Sequence, residues 1–190
     1  MTAILKIKVE DLTPQFLERV KRDYPNQELE IRIGEPAHPD LLEETQFWEI
    51  ISMLDWSKEE NDEIIAPAIK YLAERPVHFI YLFQDILAQK LFQLDQKKYA
   101  LHIGEAAWKE GKYFSVDNFL YARCCVVANG KKLFEEVLAN PAEMPQDITF
   151  EAVLWIAKKA YQQKTDKKFE YFPTPSYETY SNQAGWQTEN

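Results

Sequence analysis

The sequence predicts an α+β fold that is mostly α, with a helical domain of about six to seven helices after a small N-terminal strand-helix-strand unit. Two observations indicate helices: apolar residues recur every three to four positions from residue 45 onward, and one central segment is apolar around its whole circumference. A third observation indicates strands, since apolar and charged residues alternate near the N-terminus. The predicted organisation is a unit over 1–34, a linker over 35–44, and the helical domain with an ordered aromatic tail over 45–190.

The N-terminal unit is predicted from two alternating stretches with a helix between them. LKIKV at 5–9 and LEIRI at 29–33 have the two-residue period of half-buried strands. Thr13 and Pro14 mark the start of the intervening amphipathic helix. Two strands make a sheet with little stability of its own. We therefore expect this unit to pack on the helical domain or to pair with a second copy in a homodimer.

The helices of the domain are predicted from apolar periodicity and from residues that begin helices. The expected starts are Thr45, Ser57 in a capping box with Glu60, Pro76, and Thr149. Two shorter helices are expected, one over about 97–109 and one around 134–138. The tail over 164–190 lacks helical periodicity but is rich in aromatic residues, unlike disordered segments. We expect part of it to pack against the helices.

The most apolar run of helix length, FSVDNFLYARCCVVANG at 114–130, is predicted to be the central helix. Ser115 is expected to cap its start, and Gly130 is expected to end it because glycine adopts the left-handed conformation found after helices. A helix that is apolar all round must be surrounded by protein. Cys124 and Cys125 lie within it, and we expect buried free thiols, because adjacent helical residues point in different directions.

Arg123 is the one charge in the middle of the central helix, and an unpaired buried charge is very costly. We expect it to be mostly buried and paired with a carboxylate, with Asp85 as the favoured partner and Glu49 and Glu178 as the other acids in apolar or aromatic surroundings. Tyr177, beside Glu178 in an aromatic loop, completes this candidate polar cluster. Two interpretations stay open: an ion pair that holds helices in register, and an arginine that binds an anion at the base of a pocket.

The composition excludes several classes of function. The net charge is −9, with 31 acidic and 22 basic residues, which argues against nucleic-acid binding through phosphates. The sequence shows no signal peptide and no apolar run of membrane-spanning length. We therefore expect a protein of the reducing cytoplasm that does not bind a membrane.

The sequence contains none of the familiar catalytic or metal-binding patterns. His38, His78 and His102 are scattered without metal-ligand spacing, and the two cysteines do not form a CxxC pair. The five glycines form no phosphate-binding or dinucleotide-binding pattern. A nucleophilic cysteine would need an exposed, electropositive setting. We therefore expect no metal, no cofactor and no catalytic residue.

Four segments together resemble a known family: FWEIISMLDW at 47–56, FQDILAQKL at 83–91, FLYARCCVVANG at 119–130 and SYETYSNQAGW at 176–186. On these motifs the chain resembles the bacterial family catalogued as domain of unknown function 4240, over about residues 45–186. The resemblance implies a compact, mostly helical bacterial domain. It supplies no established activity, cofactor or catalytic residue.

The sequence supports two hypotheses about function. The first is a non-enzymatic protein-interaction or regulatory module, which would act through a protein partner or through self-association. The alternative is an enzyme that acts on a small polar or anionic substrate through Arg123 and nearby carboxylates. A deep solvent-filled pocket reached by these side chains would favour the enzyme, whereas a filled core around a dry ion pair would favour the module.

Overall fold

The computed structural model describes residues 14–24 and 42–187, and within these ranges it contains helices and no strand. The prediction of an α+β fold is therefore wrong. From residue 44 onward the apolar residues follow the helical period, and two five-residue alternating stretches are too little to establish a sheet. Both predicted strands, at 5–9 and 29–33, lie outside the described residues.

The chain divides into two compact units, Met1–His38 and Pro39–Asn190. In the first unit the described residues form helix α1 (Pro14–Asp23). Lys21 and Arg22 lie in its last turn, where the helix dipole favours positive charge. Thr13, the predicted cap of this helix, lies outside the described residues.

The helices of the second unit follow one another closely along the chain. The α-helices are α2 (Glu44–Ile51), α3 (Asn61–Ala73), α4 (Val77–Gln93), α5 (Lys97–Ala100), α6 (Val116–Ala128), α7 (Lys131–Ala139), α8 (Ile156–Thr165) and α9 (Gln183–Trp186). Short 3-10 helices cover Gly104–Ala106, Pro141–Glu143 and Glu151–Trp155. α3 packs along α8, and α4 contacts α3, α6 and α8. None of the described helices is both long enough and apolar enough to cross a membrane.

Two predicted helix starts are displaced because nearby side chains make other local hydrogen bonds. α2 begins one residue before Thr45, after a capping box in which Glu43 and Gln46 each bind the backbone of the other. The Ser57 hydroxyl donates to Asp55 within the predicted turn, so it does not cap α3. Pro76 directly precedes α4, as predicted.

Two other predicted helices are shorter than expected. The predicted helix over 97–109 is reduced to α5, because Gly104 adopts a positive φ of 83° and the amide of Glu105 binds Asp147. Thr149 does not cap a helix, since the 3-10 helix from Glu151 separates it from α8.

α6 is the buried centre of the second unit, as predicted. The Ser115 hydroxyl accepts a hydrogen bond from the amide of Asn118 at 3.2 Å, which caps the helix start. Gly130 follows the helix with a positive φ of 93°. Nine of the 13 residues of α6 are buried, and the helix packs against α4, α7 and the 3-10 helix Glu151–Trp155. Burial on all sides is what an all-round apolar helix requires.

The residues after α8 run over the helices without regular structure until they end in the short helix α9, and we call residues 169–186 the C-terminal segment. Between residues 169 and 180 the side chains alternate between half-buried and exposed. The Trp186 ring packs against Phe119 of α6, with ring centroids 5.7 Å apart. Phe169, Tyr177 and Trp186 of this segment thus pack against the helices.

Candidate functional site

Arg123 is fully buried, as predicted, with 0% of its surface exposed. Its Nη1 donates to the carbonyl oxygens of Leu91 at 2.8 Å and Tyr177 at 3.0 Å, and its Nη2 donates to Thr179 Oγ1 at 2.9 Å. The guanidinium also lies 4.8 Å from the centre of the Phe119 ring. Burial lowers the pKa of Arg123, and the negative charges of Asp95 and Glu178 act in the opposite direction.

The predicted ion pair between Arg123 and Asp85 is wrong. Asp85 instead accepts hydrogen bonds from the hydroxyl of Tyr171, at 2.8 and 2.7 Å to its two oxygens. The partner of Arg123 on α4 is the carbonyl of Leu91, in the last turn of that helix. The last carbonyls of a helix lack partners within it and carry partial negative charge, so they suit a guanidinium.

Asp95 is a second fully buried charge, and it was not among the predicted site residues. It lies just after α4 and is 0% exposed. Its two oxygens accept hydrogen bonds from the amides of Tyr180 (3.2 Å) and Asn182 (2.8 Å), the hydroxyl of Ser181 (3.3 Å) and Nε1 of Trp186 (2.8 Å). The sequence offers one sign of its burial, because Asp95 directly follows Leu94, at which the apolar face of α4 ends.

The other predicted site residues fall into two places. Glu49 lies exposed on α2 and does not line the cleft described below. Tyr177 and Glu178 both line that cleft, and Asp85 is joined to it through Tyr171. The structure therefore brings together the C-terminal part of the predicted cluster and leaves Glu49 outside.

A cleft of about 310 Å³ lies between the helices and the C-terminal segment. It draws its walls from α4, the first half of α6, the 3-10 helix Glu151–Trp155, the start of α8 and the C-terminal segment. The amide of Phe150 donates to the carbonyl of Tyr121 at 3.1 Å, which ties the 3-10 helix to α6. The lining residues are Gln84, Asp117, Leu120, Tyr121, Glu151, Leu154, Trp155, Lys158, Phe169, Tyr171, Tyr177 and Glu178.

The charged groups of the cleft are mainly acidic. Three carboxylates, on Asp117, Glu151 and Glu178, face one amine, on Lys158. All four residues are exposed, so water and ligands can reach them. Lys158 Nζ lies 4.9 Å from the centre of the Trp155 ring, which is 41% exposed. The cleft itself therefore combines net negative charge with accessible aromatic surface.

The tyrosines of the cleft remain protonated at neutral pH. Burial raises the pKa of Tyr121, and the charges of Glu151 and Asp117 add to this shift. Burial and the hydrogen bond to Asp85 raise the pKa of Tyr171 to about 12. The phenols are therefore neutral groups that offer aromatic faces and hydrogen bonds but no charge.

The cysteines and histidines do not form a second site in the described part of the chain. Cys124 and Cys125 are buried free thiols, and burial raises the pKa of both, which disfavours the thiolate needed for nucleophilic attack. His78 is exposed and His102 is half-buried, while His38 lies outside the described residues. Residues 14–24 and 42–187 hold no group of three or more metal-ligating side chains that could bind an ion.

The model of the family described as Protein of unknown function (DUF4240) matches residues 42–163. The chain therefore belongs to this family, as its resemblance to the family predicted. The match ends before residue 186, so the C-terminal segment, including the cleft residues Phe169, Tyr171, Tyr177 and Glu178, lies beyond it. No curated protein and no solved structure matches the chain.

Proposed function

We propose that this member of the DUF4240 family is a non-enzymatic interaction module that binds a cationic side chain of a protein partner in its acidic, aromatic cleft. The observation that carries this proposal is the composition of the cleft wall. Three carboxylates face a single amine there, and the rings of Tyr121, Trp155 and Tyr177 lie among them. A lysine or arginine side chain of a basic segment is the group that this wall suits best.

Both kinds of lining residue attract the same ligand. A carboxylate attracts a cation directly, and the face of an aromatic ring attracts it through the quadrupole of the ring. Lysine and arginine also carry hydrocarbon stems, which can pack on the Trp155 and Phe169 rings while the charged group reaches Glu151 or Glu178. The volume of about 310 Å³ is at the small end of ligand sites and suits one such side chain.

The charge of the whole chain supports a basic partner. The net charge of −9 would attract a positively charged surface and would accelerate its encounter with the cleft. Self-association, including the homodimer, remains a prediction that a light-scattering measurement on the full chain would test.

An enzyme that uses Arg123 on an anionic substrate receives less support. Arg123 is fully buried, and both of its terminal nitrogens already donate to protein acceptors. It does not line the cleft, and the carboxylates that do line it would repel an anion. The chain has a cleft with exposed charged residues, but Arg123, the group that would bind the substrate, does not line it.

The proposal can be tested with peptides that differ only in charge. We would titrate the ¹⁵N-labelled full chain with acetyl-Gly-Arg-Gly-amide and with the same peptide carrying citrulline, the neutral isostere of arginine. The arginine peptide should shift the amide resonances of Asp117, Glu151 and Glu178 saturably, and less strongly as salt is added. The citrulline peptide should shift them far less.

Substitutions in the cleft provide the second half of the test. The double variant Glu151→Gln and Glu178→Gln should weaken arginine-peptide binding about fivefold, since two exposed ion pairs together contribute roughly 1 kcal/mol. Glu135 is an exposed residue on α7 that pairs with Lys131, and Glu135→Gln is the matched control. This variant should bind the arginine peptide as the parent does. Equal binding of the arginine and citrulline peptides, or no shifts at the cleft, would reject the proposal.

A further inference from the structure

We propose that Arg123 and Asp95 are positioning residues for the cleft, because they fix the part of the C-terminal segment that forms one of its walls. This inference rests on the proposed function, in which the cleft binds a cationic side chain of a partner. It adds that two buried charges outside the cleft decide whether the cleft is formed. Both residues are 0% exposed, and both are hydrogen-bonded to residues 177–186: Arg123 donates to them and Asp95 accepts from them.

Arg123 is hydrogen-bonded to the residues on both sides of Glu178. It donates to the carbonyl of Tyr177 on one side and to the hydroxyl of Thr179 on the other. The Thr179 hydroxyl in turn donates to the carbonyl of Val116 at 2.7 Å, at the start of α6. Glu178 itself is exposed, so its position in the cleft wall depends on these neighbours and not on its own burial.

Asp95 fixes the turn that follows. It accepts hydrogen bonds from the amides of Tyr180 and Asn182 and from the indole of Trp186. The Asn182 side chain also donates to the carbonyl of Phe92 at 3.1 Å, near the end of α4. The stretch from residue 177 to residue 186 is thus fixed at one end by a cation and at the other by an anion.

Apolar burial alone holds this stretch only weakly. Tyr177 and Trp186 pack against the core but stay half-buried, and no side chain between residues 176 and 180 is fully buried. A segment with so little buried surface needs directional contacts to adopt one position, and hydrogen bonds to charged groups are the strongest of these.

The two charges are also not the arrangement that gives the most stable core. Burying a charge is costly, and apolar replacements of buried charges are often as stable or more so. Arg123 Nε is buried without a hydrogen-bond partner among the described residues, which adds to that cost. Retention of such groups is expected where they specify one position of a segment, and the segment they contact here forms the cleft wall.

Hydrogen exchange on the full chain tests the positioning role directly. Asp95→Asn keeps the size of the side chain but removes its charge. The amides of Tyr180 and Asn182, which bind Asp95, should exchange about tenfold faster or more, since hydrogen bonds to a charged acceptor are replaced by weaker ones. The amides of Ile65 and Leu72 in the buried part of α3 should exchange as in the parent. Asp62→Asn, which removes an exposed carboxylate from α3, should change neither set.

Arg123 is tested with a conservative and a disruptive variant. Arg123→Met removes the donors to Tyr177 and Thr179, so the arginine peptide should bind more weakly and the amides of residues 177–180 should exchange faster. Arg123→Lys keeps a charged donor and should restore part of both effects. Rescue by lysine separates positioning from packing, because methionine and lysine have similar stems.

The outcomes separate this inference from the proposed function. If the parent does not bind the arginine peptide but the variants loosen only the C-terminal segment, the proposed function fails and the positioning role stands. If the α3 amides lose as much protection as the segment, the two charges are merely structural and the inference is overturned. Where the parent does bind the arginine peptide, the inference is also overturned if the segment loosens while peptide binding stays at the parental level. It is overturned in either case if nothing changes.

Discussion

The helical core and the C-terminal segment are held in place by different interactions. In the core, Phe83 of α4 is fully buried among other apolar side chains, and its ring lies 5.1 Å from that of Phe47. The C-terminal segment is half exposed and is held by hydrogen bonds to Asp85, Asp95 and Arg123. In this chain, apolar burial thus holds the helices together, whereas the segment that forms the outer wall of the cleft is held mainly by polar contacts, with some aromatic packing.

The largest effect is expected from a substitution in the core. Phe83→Ala should lower the free energy of unfolding by about 3–5 kcal/mol, because it removes a fully buried ring and leaves a cavity. Urea unfolding followed by tryptophan fluorescence would measure the loss. Phe172→Ala, at a ring that is 91% exposed in the C-terminal segment, is the matched control and should change the midpoint little. Equal losses in the two variants would contradict the distinction between the two regions.

The core was largely predictable because its signal is local. Ser115, the apolar run after it and Gly130 lie within one short stretch, so the start, the burial and the end of α6 follow from neighbouring residues. The predicted strands, at 5–9 and 29–33, came from a weaker signal of the same local kind and lie outside the described residues, which contain helices and no strand. The displaced starts of α2 and α3 reflect competition between side chains that can all bind backbone amides within a few residues.

The cleft could be predicted only in part because its walls are distant in the sequence. Gln84, Tyr121, Trp155 and Tyr177 meet only after α4, α6, the 3-10 helix Glu151–Trp155 and the C-terminal segment have packed. The partner of Arg123 was predicted wrongly because a buried guanidinium was expected to pair with a carboxylate. A free carbonyl at the end of a helix satisfies a guanidinium as well, and which carbonyl lies within reach depends on helix packing.

A single hydrogen bond of the segment is expected to have a smaller effect than the core substitution. Trp186→Phe keeps an aromatic ring against Phe119 but removes the indole donor to Asp95, which lies at 2.8 Å. The free energy of local opening of the segment should fall by about 1.5–3 kcal/mol, the usual contribution of a hydrogen bond to a charged group. Hydrogen exchange at the amide of Asn182 would measure this opening.

Another exposed tryptophan, outside the C-terminal segment, gives the comparison for this variant. Trp56 is 50% exposed, and Trp56→Phe should leave exchange at Asn182 at the parental rate. If Trp186→Phe instead accelerates exchange throughout α3 and α4 to the same extent, the segment opens only with the core. The helical core and the C-terminal segment would then unfold as one cooperative unit, and not as two regions held by different interactions.

The smallest effect concerns Tyr171, which joins the C-terminal segment to α4 through Asp85. Its pKa is raised from 10.0 to about 12 by burial and by the hydrogen bond to the Asp85 carboxylate. Between these two values the unfolded chain loses the phenol proton while the folded chain keeps it. The unfolded state then binds fewer protons, so stability falls as pH rises through this window. Below pH 10 both states keep the proton, and the contribution of the contact is fully present.

Tyr171→Phe should therefore flatten the alkaline part of the stability profile without changing its shape below pH 10. Urea unfolding at a series of pH values from 8 to about 11.5 would show a shallower decline for this variant than for the parent. Tyr113→Phe, at a ring that is 92% exposed, should follow the parental curve. A decline in Tyr171→Phe as steep as in the parent would mean that the contact with Asp85 does not distinguish the folded from the unfolded state. The segment would then be held to α4 by ring packing of Tyr171 on Tyr81, with ring centroids 4.8 Å apart, and not by the hydrogen bond.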